Sequence, residues 1–397
     1  MNDRTRYNEN AERPIDWDLL LADCVQFTQK LIQTPSMSRE EADVADLIAA
    51  ELARLNFDEV AIDEIGNVIG RLYGRDRTLP ALVLNTHLDH VDPGDLALWP
   101  EPPYAGNIVG GRIIGRGACD IKGPLAVQVY AMAALKRSGR RPRRDVVFTG
   151  VVQEEIGGAG AQYWVENLDY PVALVVLGEP SRNNLALGHR GIVQMWVTFY
   201  GRSAHASAPE KGLNPNYALA DFLQKLEPAV VDLEEHTLLG PTTVVPTIIE
   251  VDTNSPNVIP AWTRVLLDVR TAGESKKSLL AFVDRLAGDT PYNVTDAWCS
   301  EPTPLAASAD IIFGYDTPAD MEEVLRMRQA IADGMGSKPA LTSYHFATDG
   351  RHFVPYDIPV VGFAPGEEQE AHTAGESIAI DQIADALRGY VQVILDF

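Results

Sequence analysis

Two histidines and three carboxylates of the 397-residue chain stand where a predicted strand gives way to a loop. Imidazole nitrogens and carboxylate oxygens are zinc ligands, and this set is what two zinc ions would need if they shared one bridging carboxylate. Such a pair activates water as a nucleophile, so the set indicates a hydrolase. The five candidate ligands are His87, Asp120, Glu155, Glu179 and His372.

Glu154 and Glu155 are adjacent carboxylates at the end of an apolar run, in VVQEEIGGAGA. Two such charges repel each other unless a cation is near. Neighbouring side chains point in different directions there, so Glu155 can bind metal while Glu154 reaches a metal-bound water as general base. The alternative is that the pair simply begins a helix, whose dipole favours acidic residues.

The other candidate ligands stand in similar places. In NTHLDHV, Asp89 projects to the same side as His87 and is placed to hold its ring in one tautomer. Asp120 lies in a Gly-rich turn, GRGACDIKG, that lets one carboxylate reach two metals, although a single turn of this kind is more often a helix cap. Glu179 follows a strand in LGEPS, and His372 lies in an acidic loop where a solvated histidine is the plainer alternative.

The predicted elements that position these residues alternate between strands and helices, which predicts a layered α/β domain. Little alternation within the apolar runs is typical of strands buried on both faces. The predicted strands are Ala81–Leu84, Val146–Val152, Ala173–Leu177 and Pro359–Phe363. Ser38 and Glu41 match a capping box ahead of an amphipathic helix with apolar residues at 44, 48, 52 and 55.

The pattern changes between about Val193 and about Ser300 to strand, helix, two strands, helix and strand. This is the order of a compact split unit of the ferredoxin-like kind. The α/β pattern then resumes with a predicted helix from about Ala319 to Met335. We therefore predict a catalytic metal-binding domain from residues 1–192 and 306–397, with an inserted α+β domain over residues 193–305.

The composition of the chain limits the classes of partner that we expect it to bind. Thirty-three basic and 56 acidic residues give a formal charge of −23, which repels phosphate backbones and anionic membrane surfaces. We expect neither nucleic acid nor a membrane as partner, since no run approaches the ~20 apolar residues of a span. The N-terminus is polar and has no apolar signal region, and the three separated cysteines support no disulfide framework. The predicted compartment is the cytoplasm.

The motifs HLDHV, GRGACDIKG, QEEIGG, GEPS and PGEEQEAH, in this order and spacing, resemble the two-zinc metallopeptidase family of acetylornithine deacetylase, succinyl-diaminopimelate desuccinylase, aminoacylase and carboxypeptidase G. The resemblance covers most of the chain from about Ala81 onward, including the inserted domain. It implies a zinc-peptidase-like mixed sheet and two zinc ions per chain, although cobalt or manganese suit similar ligands.

The resemblance also implies a role for each motif residue. His87 and Glu179 complete one zinc site, Glu155 and His372 complete the other, and Asp120 bridges the two. Glu154 is then the general base that activates the metal-bridging water, and Asp89 orients His87. The family carries a cis peptide after the bridging residue, here Asp120–Ile121, and a glutamate at the position of Glu179 goes with deacylases.

The inserted domain resembles the dimerisation lid of this family, which implies a homodimer. His205, in GRSAHASAPEKG, matches the histidine that reaches the partner's active site and polarises the scissile carbonyl, although a plain turn residue is the alternative. Asn257 and Arg270 match residues that hold polar groups of the substrate, and Arg190 is a further candidate of this kind.

One segment departs from the family pattern. In FATDGRHF, Phe346 and Ala347 replace a pair of small polar residues, so the way in which a substrate carboxylate is held near Arg351 differs.

The predicted reaction is hydrolysis of a small N-acyl amino acid, as in deacetylases and desuccinylases. A dipeptidase or carboxypeptidase acting on short peptides at the same site is the alternative enzyme. A catalytically silent metal-binding or interaction protein is the alternative of another class.

Overall fold

The computed structural model describes residues 12–233, 235–299, 303–307 and 314–397. The first eleven residues, to which most of the polar N-terminus belongs, lie outside the described residues. The described chain forms two compact units. The first contains the residues up to Gly188 with Thr317–Thr342 and Thr348–Phe397, and the second contains His189–Asp316 with Ser343–Ala347.

The regular elements follow one another in three stretches. Up to His189 they are α1 (Trp17–Ile32), α2 (Ala42–Arg54), β1 (Glu59–Ile62), β2 (Val68–Leu72), β3 (Ala81–His87), β4 (Asn107–Val109), β5 (Arg112–Ile114), α3 (Gly123–Ser138), β6 (Val146–Val151), α4 (Ala159–Glu166), β7 (Val172–Leu177) and β8 (Leu185–His189). Up to Asp316 they are β9 (Gly191–Tyr200), β10 (Ala204–His205), α5 (Pro215–Ala229), β11 (Glu235–His236), β12 (Gly240–Pro241), β13 (Thr243–Val251), β14 (Val258–Ile259), β15 (Trp262–Thr271), α6 (Lys276–Ala287), β16 (Tyr292–Asp296) and β17 (Tyr315–Asp316). The last stretch contains α7 (Glu322–Met335), β18 (Leu341–Tyr344), α8 (Gly350–Phe353), β19 (Val360–Gly362), β20 (Ser377–Ala379) and α9 (Ile380–Asp396).

The first unit is built on a mixed sheet in which strands run in the order β1-β2-β6-β3-β7-β19-β8. β3 is parallel to β6 and β7, whereas β2 pairs antiparallel with β1 and β6. Every residue of β3 and β6 is buried, as their apolar runs predict. Helix α3, buried along most of its length, packs against β3 and β6 and between α1 and α9. The predicted layered α/β class with a mixed sheet is confirmed.

Helix α2 confirms the predicted amphipathic helix, since Val44, Ile48 and Leu52 are buried. The predicted capping box is wrong, because the helix begins at Ala42 and its N-cap is Glu41 rather than Ser38. Arg39 adopts a left-handed conformation with φ 77°, so the backbone turns before the helix starts. The two side chains bond elsewhere: Ser38 Oγ donates to Asp89, and the Glu41 carboxylate accepts from the backbone of Gln153.

The second unit contains an antiparallel four-stranded sheet in the order β13-β15-β9-β16. Buried and half-buried residues alternate along β9 and β15, as in a sheet with one face on the core. The core lies between these strands and helices α5 and α6, with Phe199 and Phe222 among its buried side chains. The order β9-α5-β13-β15-α6-β16 is the predicted ferredoxin-like arrangement, which belongs to the confirmed fold class.

Among the described residues, the helices are all too short or too polar to span a membrane.

Candidate metal centre

The predicted metal ligands gather at one edge of the sheet in the first unit. Because β3, β6 and β7 are parallel, their carboxyl ends meet at that edge, where open α/β sheets place their sites. His87 is the last residue of β3, and Glu179 comes two residues after the end of β7. Glu154 and Glu155 form a short 3₁₀ turn after β6.

His87 is the centre of a first group of donor atoms. Its Nε2 atom lies 3.1 Å from Asp120 Oδ1 and 3.8 Å from Glu179 Oε1. Its Nδ1 atom lies 2.9 Å from the backbone carbonyl oxygen of Asp89, which only accepts hydrogen bonds. The neutral ring therefore carries its proton on Nδ1 and keeps the Nε2 lone pair for a ligand bond. The Asp89 carboxylate, which we predicted to orient this ring, lies farther away at 3.5 Å.

His372 is the centre of a second group. Its Nε2 atom lies 3.0 Å from Glu155 Oε1 and 3.3 Å from Asp120 Oδ2. Asp120 thus presents one oxygen to each histidine, which is the arrangement of a carboxylate shared by two metal sites. Single donor atoms of His87, Asp120 and Glu155 also lie within 4.8 Å of one another, close enough for one ion to touch all three.

The electrostatics of the cluster favour cations. Burial raises the pKa of Glu179 well above its ordinary value, and the nearby charge of Asp120 raises it further. Burial also opposes ionisation of Asp120, but hydrogen bonds with His372 and His87 hold its pKa well below the usual range. The hydrogen bonds of His372 with Asp120 and Glu155 raise the pKa of that imidazole to about 10. Three carboxylates and two imidazoles fit two divalent cations, whose charge would replace these protons.

The turn that carries Asp120 is irregular, and the Asp120–Ile121 peptide bond is cis, as the family resemblance implies. Glu376 holds this turn. Its carboxylate accepts hydrogen bonds from the backbone N–H groups of Gly117, Cys119 and Asp120 at 2.9–3.1 Å and from Arg116 at 2.6 Å. Sequence reasoning missed Glu376. The local signal that could have drawn attention to it is a glutamate flanked by small residues, in AGESI.

Asp349 is a second residue that sequence reasoning missed. Both carboxylate oxygens are buried and find no hydrogen-bond partner among the described residues. Burial raises the pKa of Asp349 to about 6, although the charge of Arg351 opposes the shift. Burial and the charge of Asp349 together raise the pKa of Glu154 well above its ordinary value. The signal in the sequence is the acidic residue near Arg351 in FATDGRHF.

The remaining predicted site residues are placed as follows. His205 lies on β10, and Asn257 Nδ2 is 3.5 Å from its Nε2 atom. Arg270 forms an ion pair with Asp268 at 2.8 Å, and Arg190 donates to the carbonyl oxygen of Pro241 at 3.3 Å. Neither arginine forms a hydrogen bond with His205 or Asn257, all four being within the described chain. Arg351 lies on α8 and donates from Nε to His352 Nε2 at 3.1 Å.

Comparison with known proteins identifies the family. The model of the peptidase family M20/M25/M40 matches residues 83–396, which is most of the chain. The chain belongs to this family. It is therefore a hydrolase that acts on amide or peptide bonds, rather than the catalytically silent protein of the third hypothesis.

Individual relatives align with most of the chain. It is 30% identical over 365 residues to the uncharacterised protein YgeY of Escherichia coli strain K12, which is 89% of each chain. It is 27% identical to succinyl-diaminopimelate desuccinylase of Caulobacter sp. strain K31, over 94% of this chain and 95% of that protein.

Solved structures share the fold. Aminopeptidase PepT of Bacillus cereus ATCC 10987 superposes with a TM-score of 0.75 at 20% identity, over 96% of this chain and 98% of that one. The YXEP protein of Bacillus subtilis, described as a dinuclear metal-binding peptidase of family M20, has a TM-score of 0.69 at 15% identity and covers 95% and 98%.

The role of Glu376 leads to a prediction. Replacing Glu376 with Gln removes one acceptor and the charge that meets Arg116, while three backbone N–H groups still point at the site. We expect a loss of about 3 kcal/mol in the free energy of unfolding, measured with urea, and zinc affinity lower by about tenfold or more, because the Asp120 turn loosens. Glu166→Gln, on the exposed surface of α4, serves as control and leaves both unchanged. Wild-type values for Glu376→Gln would contradict this role.

Proposed function

We propose that the protein hydrolyses the amide bond of a small N-acyl amino acid at a centre of two divalent cations, with zinc as the first candidate. The main observation in support is that the two carboxylate oxygens of Asp120 lie 3.1 Å from His87 Nε2 and 3.3 Å from His372 Nε2. The desuccinylase relatives, which align over 94% of the chain, support an N-acyl substrate. The glutamate at position 179 supports it too, because the family resemblance associates that residue with deacylases.

The proposed ligands are His87, Glu179 and Asp120 for one ion and His372, Glu155 and Asp120 for the other. When bound, the ions supply Lewis acidity that polarises the amide carbonyl and acidifies the attacking water. Cobalt or manganese suit the same donors, so the donor set alone does not select zinc.

Glu154 is the proposed general base. It stands next to the proposed ligand Glu155 in the same 3₁₀ turn, and the charges of His87 and Glu155 act on its carboxylate. Burial raises the pKa of Glu154, as does the charge of Asp349, and a carboxylate with a raised pKa is a stronger base at neutral pH. Glu154 takes a proton from the attacking water and delivers it to the leaving nitrogen.

His205 is the proposed donor to the oxyanion. Its Nδ1 atom accepts from the backbone N–H of Ser207 at 3.1 Å, and the Ser207 hydroxyl lies 2.7 Å from the same atom. Because a backbone N–H only donates, Nδ1 is unprotonated, and the neutral ring carries its proton on Nε2. His205 thus presents an N–H that can donate to a developing negative charge. In the proposed homodimer, this donor serves the active site of the other subunit.

The proposed substrate-binding residues are polar groups suited to a carboxylate. The guanidinium of Arg351 is held by His352, and burial lowers the pKa of His352 to about 4, so that this ring is neutral and accepts. Arg270 donates to Asp268 from Nε at 2.8 Å and from Nη2 at 3.4 Å, and one third of its side chain is exposed (33%). We assign Asn257 and Arg190 to the same task.

The edge strand β13 supports the proposed homodimer. Among the described residues, β13 pairs with β15 on one side only, so its other edge presents free backbone groups. Val245, Ile248 and Ile249 on this strand are about half exposed, at 51%, 47% and 57%. An apolar, unprotected edge favours pairing with a second chain, and a second copy of this strand is the occupant we propose.

The assignment of Glu154 is tested by Glu154→Gln. The glutamine amide has the shape of the Glu154 carboxylate but accepts no proton, so kcat should fall by about a thousandfold. Zinc content, measured by atomic absorption, should equal that of the wild type. Glu166→Gln provides the surface control. Retained turnover in Glu154→Gln would remove Glu154 from the mechanism.

Peptide hydrolysis is the second candidate function, because the aminopeptidase PepT shares the fold over 96% of this chain. We expect kcat/KM to be highest for N-acetyl or N-succinyl amino acids in a panel that also contains di- and tripeptides. Each substrate is measured with chelator and after zinc is restored. Higher kcat/KM for peptides would replace deacylation with peptidase activity, and no zinc-dependent hydrolysis at all would refute both.

The dimer is tested by Ile249→Asp. A charge at the centre of the paired edge should be unfavourable, so light scattering should show the mass of one chain instead of two, and kcat should fall because His205 no longer reaches a partner. Val231→Asp changes an 83% exposed residue of the same unit away from β13 and should leave the dimer intact. A monomeric wild type would rule out the donor in trans.

A further inference from the structure

The segment from Val152 to Glu155 carries the proposed base and one proposed ligand, and side chains hold it by its backbone. Four consecutive N–H groups each donate to an oxygen of another part of the first unit. The bonds run from Val152 to Asn67 Oδ1 at 3.0 Å, from Gln153 to Glu41 Oε1 at 3.0 Å, from Glu154 to Asp89 Oδ1 at 3.1 Å and from Glu155 to Asp89 Oδ2 at 3.2 Å.

Gln153 is the point at which this segment leaves the sheet. Strand β6 ends at Val151, so the N–H groups that follow need acceptors other than a neighbouring strand. Gln153 has φ 62° and ψ 32°, a left-handed conformation that costs a residue with a side chain about 1 kcal/mol or more. The hydrogen bond to Glu41 acts on this residue, one position before the base and two before the ligand.

Glu41 is placed to join two segments. The residue is buried, with only 5% of its surface exposed, and its carboxylate accepts the hydrogen bond from the backbone of Gln153. Ser38 in the same turn donates to Asp89 Oδ2 at 2.7 Å, and Asp89 holds the next two N–H groups. The turn that precedes α2 therefore supports the whole Gln153–Glu155 segment, directly through Glu41 and indirectly through Ser38 and Asp89.

We propose that Glu41 is a positioning residue that, through the backbone of Gln153, directs the carboxylates of Glu154 and Glu155 into the metal centre. The part that concerns Glu154 rests on the proposed function, whereas the part that concerns Glu155 concerns metal binding and does not depend on hydrolysis. Glu155 Oε1 lies 3.0 Å from His372 Nε2, so a small rotation at Gln153 would separate the two donors of one ion. A displacement of about 1 Å also costs a catalytic group roughly a hundredfold in rate.

The test compares Glu41→Ala with Glu41→Gln and with Glu40→Ala, a neighbouring exposed glutamate. Zinc affinity is measured by competition with a chromogenic chelator, and kcat and KM are measured on the best substrate of the panel. We expect Glu41→Ala to weaken one of the two zinc sites by about 10–100-fold and to lower kcat over the same range, with KM little changed. Glu41→Gln keeps an oxygen that accepts from Gln153 and should recover both values, and Glu40→Ala should match the wild type.

Wild-type zinc affinity in Glu41→Ala would overturn the proposal, as would an equal loss in Glu41→Gln, since the acceptor oxygen would then not be the cause. Glu41→Met fills a similar volume without an acceptor and replaces the alanine variant if that variant fails to fold. The zinc measurement separates this proposal from the proposed function. A wild-type protein that hydrolyses no amide, but loses zinc affinity on Glu41→Ala, refutes the reaction and keeps the positioning role.

Discussion

The central constraint in this protein is a carboxylate that two imidazoles share. Asp120 meets His87 with one oxygen and His372 with the other, and Glu155 and Glu179 crowd the same buried place. Like charges at such distances destabilise one another unless positive charge lies between them. The cluster therefore favours bound cations, and the elements around it hold together carboxylates whose mutual repulsion would otherwise separate them.

The loops that carry the proposed ligands are held by buried carboxylates that are not themselves among the proposed ligands. Glu376 accepts from three N–H groups of the Asp120 turn, and Asp89 and Glu41 accept from the Gln153–Glu155 segment. Both segments lie at the end of regular structure, where backbone groups have lost their strand or helix partners and burial makes an unpaired group costly. Carboxylates serve well there because an ionised acceptor forms stronger hydrogen bonds than a neutral one. Part of the acidity of the chain is thus structural.

Family membership and the geometry of the site bear on different aspects of the activity. Family membership establishes a hydrolase of amide or peptide bonds, because the family model spans residues 83–396. The choice of substrate is a separate question from the metal centre, and we propose that residues such as Arg351 decide it. The desuccinylase relative is 27% identical to this chain, and the aminopeptidase with the same fold is 20% identical. Proteins named for different substrates therefore resemble this chain at these levels of identity. For this reason the acyl group has to be identified by measuring hydrolysis of the substrate panel.

The sequence by itself determined the fold class, the inserted β-α-β-β-α-β order and the family, because buried strands, amphipathic helices and five ordered motifs are local patterns. It also predicted which five residues to place together, although their convergence is observed only in the folded chain. The tertiary structure alone decided what Ser38 and Glu41 do: their spacing matches a capping box, yet the fold brings them against residues 89 and 153. It likewise decided the role of Glu376 and the burial of Asp349, since both depend on contacts between segments distant in the sequence. Local spacing encodes periodicity and caps, whereas burial and hydrogen bonding between distant segments exist only once the sheet has formed.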